Sequence, residues 1–386
     1  ASTRFGDSFN EQQFITTNPK VAEYLSKKEE ILKRMARSLE KEDLADVKAL
    51  IEELEISCPV SGSKNWTDVK QFNLMFGTKL GASADSAMDL YLRPETAQGI
   101  FVNFLNVQKS GRMKIPFGIA QTGKAFRNEI VARQFIFRMR EFEQMEMQFF
   151  VRPGEELKWY EEWKIKRLNW HLSLGLNRKS YRFHDHEKLA HYANAAADIE
   201  FEFPFGFKEL EGIHSRTDFD LKAHEQYSGK KLQFFDPELN ESYVPYVIET
   251  SIGLDRMFLA IFSESLHDEI LERTVLKLPA VLAPMKAAIL PLVKKDGLPE
   301  IAREIMDKLK FDFMVTYDEK DAIGRRYRRQ DAAGTPFCIT VDHQTLSDQT
   351  VTLRYRDSMK QDRVGMNELS SIISKEVSIN DWLKKM

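Results

Sequence analysis

The sequence predicts an α+β fold, in which a domain built on an antiparallel sheet with helical elements precedes a smaller α/β domain with a mixed sheet. Residues 140–151 alternate in period two, as β-strands do, and a charged loop joins them to an apolar run at 115–126. From residue 287 onward, strand-like and helix-like segments alternate, which favours a sheet with helices on its faces. We therefore predict two domains, 1–280 and 281–386.

The composition limits the classes of protein that need to be considered. A net charge of −3 excludes a generally basic nucleic-acid-binding coat but not a local basic face. No apolar run reaches the roughly 18 residues of a membrane span and no secretory signal is visible, so we expect no membrane partner and a cytoplasmic location. The two cysteines, Cys58 and Cys338, form no CxxC pair, so no zinc site is expected.

The first 280 residues begin with a charged segment at 21–55 that has helical spacing and a break near 41–43, which predicts two helices. Such a segment usually serves as scaffold or interaction surface. A helix is expected after Pro94, with Glu95 at its positive end. The remaining predicted elements of this domain are a strand at 72–76, a helix at 155–174, a strand at 181–185, a helix at 188–197, strands at 199–207, 207–213 and 244–250, and a helix from 254; residues 222–242 are predicted to be a polar loop.

The predicted C-terminal domain follows the order strand, helix, strand, helix, strand, strand and helix. The corresponding ranges are 288–293, 299–309, 313–317, 322–333, 337–341, 350–355 and 367–375.

Charged residues at three distant places suggest a site. Glu146 lies in a half-buried alternating run, and a buried charge needs a partner or a ligand. Arg256 falls in the first turn of a helix, where a cation opposes the helix dipole at a cost of up to about 1 kcal/mol. A residue that breaks a local rule is a candidate for function. The alternative is a solvated hairpin with cross-strand ion pairs. His184, His186 and His191 have no spacing typical of a metal site.

Several motifs together resemble the class II aminoacyl-tRNA synthetases, and most closely the homodimeric single-subunit glycyl-tRNA synthetases. The segments FRNE (126–129) and FRMREFEQME (137–146) resemble motif 2 of that class, and GLDR (253–256) resembles motif 3. RPETAQG (93–99) and ELEGIHSRTDFD (209–220) add support. Motif 1, which builds the dimer interface in this class, is not recognisable. The resemblance nevertheless implies a homodimer.

The resemblance implies that glycine attacks the α-phosphorus of ATP and that glycyl-adenylate then charges tRNA(Gly) at its 3′-terminal adenosine. Arg127 and Arg256 are then the catalytic residues, which hold the α-phosphate and the γ-phosphate. Phe142 is expected to stack on adenine, and Glu209 to serve a Mg²⁺ ion, since this metal prefers carboxylate and phosphate oxygens. The implied ATP-binding residues are Arg127, Asn128, Glu129, Phe137, Arg138, Arg140, Phe142, Glu209, Leu210, Gly253 and Arg256.

Glycine offers only an ammonium and a carboxylate to recognise, so acidic residues around the ammonium make physical sense. A cavity alone rejects one extra methyl group by only about 1–3 kcal/mol, but a rigid wall excludes it more strongly because overpacking is penalised. The implied glycine-binding residues are Glu95, Gln144, Glu146, Arg216, Glu249 and Ser251.

The C-terminal segments GRRYRRQDAAGTPF (324–337) and VTLRYRD (351–357) resemble the anticodon-binding domain of the glycyl, prolyl, threonyl and histidyl enzymes. Arginines bind tRNA phosphates without base specificity, and the alternative is a solvated helix face. The arginines expected to meet tRNA are Arg325, Arg326, Arg328 and Arg329.

Two alternatives to a glycine–tRNA ligase remain. One is a non-catalytic relative, such as the accessory subunit of a mitochondrial DNA polymerase, for which a degenerate site would be expected. The other is a class II synthetase for a different amino acid. The intact charged residues argue against the first, and the pairing of Glu146 and Glu249 with Ser251 argues against the second.

Overall fold

The computed structural model describes residues 27–41, 43–58, 60–70, 73–82, 87–131, 135–269 and 273–384. The chain divides into two compact units, Ala1–Leu74 and Met75–Met386. None of the helices in the described part of the chain combines the length and the apolar character that a membrane span requires.

The described part of the first unit contains two helices, α1 (Lys28–Glu40) and α2 (Leu44–Glu53). The predicted pair of helices with a break between them is confirmed for these residues. The side chain of Asp43 caps α2 by accepting a hydrogen bond from the backbone of Asp46. Arg34 on α1 bridges Asp46 and Glu53 on α2 at 2.6 and 2.7 Å. Local capping and charge pairing therefore shape this highly charged helical pair.

The part of the second unit up to residue 276 contains the following elements in chain order. They are β1 (Gly77–Leu80), β2 (Met88–Tyr91), α3 (Ala97–Ser110), β3 (Phe117–Phe126), β4 (Glu141–Val151), α4 (Glu156–Ser173), β5 (Tyr181–Asp185), β6 (Ala195–Phe203), β7 (Gly206–Thr217), α5 (Phe219–Ser228), β8 (Phe234–Asp236), β9 (Glu241–Tyr243), β10 (Tyr246–Gly253), α6 (Leu254–Ser265), β11 (Leu266–Glu269) and β12 (Arg273–Leu276).

A six-stranded antiparallel sheet in the order β3-β4-β10-β7-β6-β5 dominates this part of the unit. The register places Glu146 opposite Ser251, and Ser251 opposite Gly212. The period-two prediction for β4 is confirmed, because Gln144, Glu146 and Gln148 are all buried on one face. Segments more than a hundred residues apart in sequence are thereby adjacent in space.

Apolar clusters cover both faces of this sheet. On one face, α4 and α6 pack over Ile199, Phe201 and Ile213, and the tryptophans of α4 are half-buried against this core. On the other face, α3 packs through Phe104 against Phe150. Since α3 covers the sheet at the Phe150 end of β4, the end near Gln144 remains accessible to a ligand.

The C-terminal part of the unit has a five-stranded mixed sheet in the order β14-β13-β15-β16-β17, with β13 parallel to both β14 and β15. The predicted mixed sheet is confirmed. The elements are β13 (Ala287–Pro291), α7 (Leu298–Leu309), β14 (Val315–Tyr317), α8 (Ile323–Ala333), β15 (Phe337–Val341), α9 (Thr345–Asp348), β16 (Thr350–Tyr355), β17 (Gln361–Gly365), α10 (Leu369–Val377) and α11 (Ile379–Leu383).

Three sequence-based elements were wrong. Residues 73–76 form no strand, and β1 begins after them. Residues 188–194 form turns rather than a helix, because the alanines that follow pair with β7 in strand β6, and this tertiary pairing overrides their helix propensity. The expected polar loop at 222–242 contains most of α5 and the β8–β9 hairpin.

Candidate active site

A polar cleft of about 330 Å³ opens where β4, β7 and β10 meet the start of α6. It gathers most of the residues expected to bind ATP. Those that line it are Arg127, Glu129, Phe137, Arg138, Phe142, Glu209, Leu210, Gly253 and Arg256. Asn128 and Arg140 are the two residues of that set that do not line it. Gln144 and Ser251, from the set expected to bind glycine, do line it.

Arg127 is held at the end of β3 by two contacts. Its Nε donates a hydrogen bond to the carbonyl of Pro94 at 3.1 Å, and its guanidinium carbon lies 5.2 Å from the centre of the Phe142 ring. The backbone of Arg127 also donates to the carbonyl of Arg140 at 3.0 Å. A guanidinium fixed in this way is preorganised for an anion in the cleft.

The described residues of the loop between β3 and β4 line one side of the cleft. Arg138 lies 3.5 Å from the carboxylate of Glu129, and Arg140 donates to the carbonyl of Glu129 at 3.1 Å. These contacts bring the two sides of the loop together beside Phe142. The Phe142 ring is half-buried and lines the cleft.

Arg256 reaches across the cleft from the first turn of α6. Its Nη1 donates to the carbonyl of Glu209 at 2.9 Å and lies 3.3 Å from the carboxylate of the same residue. Its guanidinium carbon lies 4.7 Å from the centre of the Phe137 ring. These partners, rather than the helix dipole, hold the cation at the helix start.

The second part of the site surrounds Glu146, which is buried. Gln144 donates to one carboxylate oxygen of Glu146 and to the hydroxyl of Ser251, both at 2.8 Å. The hydroxyl of Thr96 donates to the other oxygen. Burial, reinforced by the negative charge of Glu249, raises the pKa of Glu146 to about 7. This carboxylate is therefore short of positive charge and well suited to receive an ammonium group.

Glu249 has the opposite environment. Burial acts to raise its pKa, but hydrogen bonds from His214 and Gln148 and the charge of Arg216 outweigh burial and hold the pKa well below its usual range. The distances are 3.1 Å to His214, 2.6 Å to Gln148 and 2.9 Å to Arg216. Arg216 is in turn held by Asp220 at 2.8 Å. These partners therefore favour the ionised form of Glu249, and its oxygens are already engaged by them.

Two amide oxygens near these carboxylates are buried without a hydrogen-bond partner among the described residues, namely those of Gln144 and Gln148. A buried acceptor without a partner is costly and indicates a missing donor. Gln144 also lines the cleft. An ammonium group beside Glu146 carries three N–H donors and would satisfy such acceptors.

Glu95 is half-buried, and Gln98 donates to its carboxylate at 2.8 Å. Its negative charge contributes to the raised pKa of Glu146, so it belongs to the same electrostatic environment. Three contributors to this environment were absent from the sequence-based set: Thr96, His214 and Asp220. Gln148 lies on the inward face of β4, and its role as a partner of Glu249 was not predicted. Only the strand register and the packing of α3 and α5 reveal these roles.

The pKa of Glu146 leads to a testable pH dependence. Because the pKa is raised, Glu146 is protonated below about pH 7, and any ammonium group that pairs with its carboxylate must displace a proton there. We expect the KM for glycine to fall about tenfold as pH rises from about 6 to 8, which corresponds to one linked proton. The KM for ATP serves as the internal control. A glycine KM that is constant over this range would contradict the raised pKa.

Four arginines on α8 were expected to bind tRNA, and the structure shows that they differ in exposure. Arg325, Arg328 and Arg329 are exposed. Arg326 is only 2% exposed and donates to the carbonyls of Pro291, Leu292 and Asp318. The expected phosphate contact for Arg326 is therefore wrong, since its guanidinium is used inside the domain.

No group of three or more His, Cys, Asp or Glu side chains in the described ranges is arranged to hold a metal ion. Glu209 is the expected metal ligand, and its side chain is 53% exposed at the cleft. A single accessible carboxylate suits a Mg²⁺ ion whose other ligands are phosphate oxygens and water.

The antiparallel sheet with its arginines and carboxylates has the arrangement of a class II aminoacyl-tRNA synthetase core. A separate mixed-sheet domain follows this core. The family model for the "tRNA synthetase class II core domain (G, H, P, S and T)" matches residues 79–265. The "Anticodon binding domain" model matches residues 286–376, and "Glycyl-tRNA synthetase insertion domain 1" matches residues 1–74.

Relatives that are similar over most of their sequence show which family within this class the chain belongs to. It is 54% identical to glycine–tRNA ligase of Chlorobaculum tepidum over 84% of this chain and 70% of that relative. It is also 54% identical to glycine–tRNA ligase of Geobacillus thermodenitrificans, over 87% and 73%. The chain belongs to the glycine–tRNA ligase family.

Solved structures agree on the fold. Prolyl-tRNA synthetase of Giardia lamblia in complex with prolyl-adenylate matches with a TM-score of 0.57 and 19% identity, over 80% of this chain and 64% of that one. The RNA-binding domain of threonyl-tRNA synthetase from Cryptosporidium parvum matches with a TM-score of 0.60 and 18% identity, over 78% and 80%.

Proposed function

We propose that this protein activates glycine with ATP to give glycyl-adenylate and pyrophosphate, and then transfers the glycyl group to the 3′-terminal adenosine of tRNA(Gly). The observation that carries the proposal is that a carboxylate suited to an ammonium group lies next to a cleft suited to phosphates. The carboxylate is Glu146, which is linked by hydrogen bonds to Gln144, and Gln144 and Ser251 line the cleft. The arginines Arg127 and Arg256 line the same cleft and would bind the phosphates.

In this mechanism, glycine lies with its ammonium beside Glu146 and its carboxylate toward Arg127. A carboxylate oxygen forms a bond to the α-phosphorus, and the bond from that phosphorus to the bridging oxygen of pyrophosphate breaks. Arg127 stabilises the charge that develops on the α-phosphate, and Arg256 holds the γ-phosphate of the leaving group. No covalent enzyme nucleophile is needed, because positioning and cationic stabilisation supply the catalysis.

Selectivity for glycine follows from the rigidity of the side chains around the expected ammonium position. Gln144 donates hydrogen bonds to Glu146 and to Ser251 on the neighbouring strand, so these three side chains give way little to an added methyl group. Overpacking typically costs about 1–3 kcal/mol and occasionally more. Any displacement of the ammonium from Glu146 adds to this penalty, so the total exceeds what a cavity alone provides.

Glu209 is the side chain that would hold a Mg²⁺ ion bound to ATP, and the ion would neutralise phosphate charge there. Residues 281–386 are proposed to form the anticodon-binding domain, with Arg325, Arg328 and Arg329 facing tRNA phosphates. Residues 1–280 are assigned to the catalytic domain. A homodimer in the cytoplasm is part of the same proposal and is supported by the family resemblance.

The proposal is tested by ATP–pyrophosphate exchange without tRNA, measured separately with each of the twenty amino acids. We expect exchange with glycine and at most background with alanine and serine. Exchange driven by another amino acid would retain the fold class but contradict the glycine site. Folded protein that gives no exchange with any amino acid would contradict the catalytic proposal.

A further inference from the structure

The turn between β6 and β7 carries two phenylalanines close to the cleft. Phe203, at the end of β6, is 2% exposed, whereas Phe205, in the turn, is 53% exposed. Their rings are stacked, with 5.6 Å between centroids and 4° between planes. Gly206 follows with a φ of 97°, a left-handed conformation that allows the tight turn. An exposed ring is therefore held flat against a buried one beside the cleft.

Both rings contact Phe137, which belongs to the loop between β3 and β4. Phe137 meets Phe203 edge-on at 5.0 Å and 87°, and Phe205 edge-on at 5.3 Å and 89°. Phe137 lies in a single 3₁₀ turn, Phe135–Phe137, and not in a strand of the sheet. Its position therefore depends on these side-chain contacts more than on a backbone ladder.

Phe137 contributes two of the contacts that fix Arg256. Its ring lies under the guanidinium at 4.7 Å, and its carbonyl accepts a hydrogen bond from Nη2 at 3.4 Å. Glu209 also contacts Arg256, through its carbonyl and its carboxylate. Phe137 and Arg256 line the cleft, whereas Phe203 and Phe205 are not among its lining residues. The two turn residues therefore lie one layer behind the cleft.

We propose that Phe203 and Phe205 form an aromatic bracket that positions Arg256, through Phe137, for the triphosphate of ATP. The bracket touches no substrate, so Phe205 is a positioning residue and not a catalytic one. The inference rests on the proposed function, because it assigns Arg256 to the phosphates. Phe205 is the more informative member, since its exposure means that truncating it leaves little core cavity.

The bracket predicts a selective defect. Without the Phe205 ring, Phe137 loses one of two edge-to-face partners and Arg256 is held less firmly. Loss of an aromatic pair of this geometry changes an equilibrium constant about three- to tenfold, and here the affected equilibrium is ATP binding. We expect Phe205→Ala to raise the KM for ATP by about that factor, while the KM for glycine stays within about twofold.

Matched variants separate positioning from general structure. Phe205→Tyr keeps the ring and should behave as the wild-type protein, whereas Phe205→Leu keeps apolar area without the ring and should resemble Phe205→Ala. Phe235→Ala removes a phenylalanine of similar exposure, 56%, on β8, and should leave both KM values unchanged. Melting temperatures of all variants are measured alongside.

The readout is glycine-dependent ATP–pyrophosphate exchange, supplemented by calorimetric titration with ATP. In the Arg256→Ala background, Phe205→Ala should cause no further loss of ATP affinity, because the residue through which it acts is absent. Equal rises in both KM values, or an undiminished Phe205→Ala effect without Arg256, would overturn the bracket. A wild-type protein that gives no exchange would instead contradict the proposed function, so the two failures are distinguishable.

Discussion

Replacing Arg127 by alanine is expected to lower kcat/KM for glycine-dependent ATP–pyrophosphate exchange by about 10²–10³-fold. The guanidinium is fixed by the carbonyl of Pro94 and by the Phe142 ring before substrate binds. Removing one such preorganised donor from a developing charge has an effect of this size. Single-turnover formation of adenylate would show that the loss lies in the chemical step.

Two further variants test whether the loss of activity is due to the guanidinium group of Arg127. Arg127→Lys keeps the charge but not the planar fork, and we expect most of the loss to remain. Lys114→Ala removes an exposed cation before β3 and should have no effect. Wild-type exchange by Arg127→Ala would remove Arg127 from the mechanism.

Replacing Glu249 by alanine is expected to abolish glycine activation and also to lower the free energy of unfolding by about 3 kcal/mol. The first effect is expected because Gln148 and Arg216 lose the carboxylate that fixes them. The second effect arises because Arg216 would remain buried with Asp220 as its only carboxylate partner among the described contacts, and removing one partner of a buried ion pair is costly. Denaturant titration and exchange assays measure the two effects.

The variant Glu249→Gln preserves the shape and should lose activation with a smaller loss of stability. Glu202→Ala, which removes an exposed glutamate on β6, is the control and should change neither quantity. An unchanged free energy of unfolding in Glu249→Ala would contradict the buried pair with Arg216.

Local patterns were sufficient to predict strand β4 and the direction of its side chains. The alternation in residues 140–151 is a property of consecutive residues, so Gln144, Glu146 and Gln148 could be assigned to one face from the sequence alone. The same holds for the amphipathic helix α6 and for the alternation of strands and helices after residue 287.

Contacts between distant residues could not be predicted in this way. Thr96 reaches Glu146 across 50 positions and His214 reaches Glu249 across 35, and both contacts depend on strand register and helix packing. The family resemblance supplied the carboxylates and Arg216, but not Thr96 or His214, which also affect the pKa values of these carboxylates.

Arg326 shows a different limit. The four arginines of α8 were treated as one basic cluster, but Arg326 shares a helix face with Gln330, and both are buried. Because helix residues four apart lie on the same face, the sequence pattern could have separated Arg326 from the exposed arginines. The carbonyls at the end of β13 that accept from Arg326 are visible only in the folded chain.

The most direct test of the joined glycine and ATP sites is calorimetric titration with non-hydrolysable sulfamoyl analogues of glycyl-adenylate and alanyl-adenylate, using wild-type protein and Glu146→Gln. We expect the wild-type protein to bind the glycyl analogue at least about 100-fold more tightly than the alanyl analogue. We also expect Glu146→Gln to lose at least about tenfold in affinity for the glycyl analogue, because a charge-assisted hydrogen bond to its ammonium is removed. Equal affinity for the two analogues, or an unaffected Glu146→Gln variant, would contradict the account.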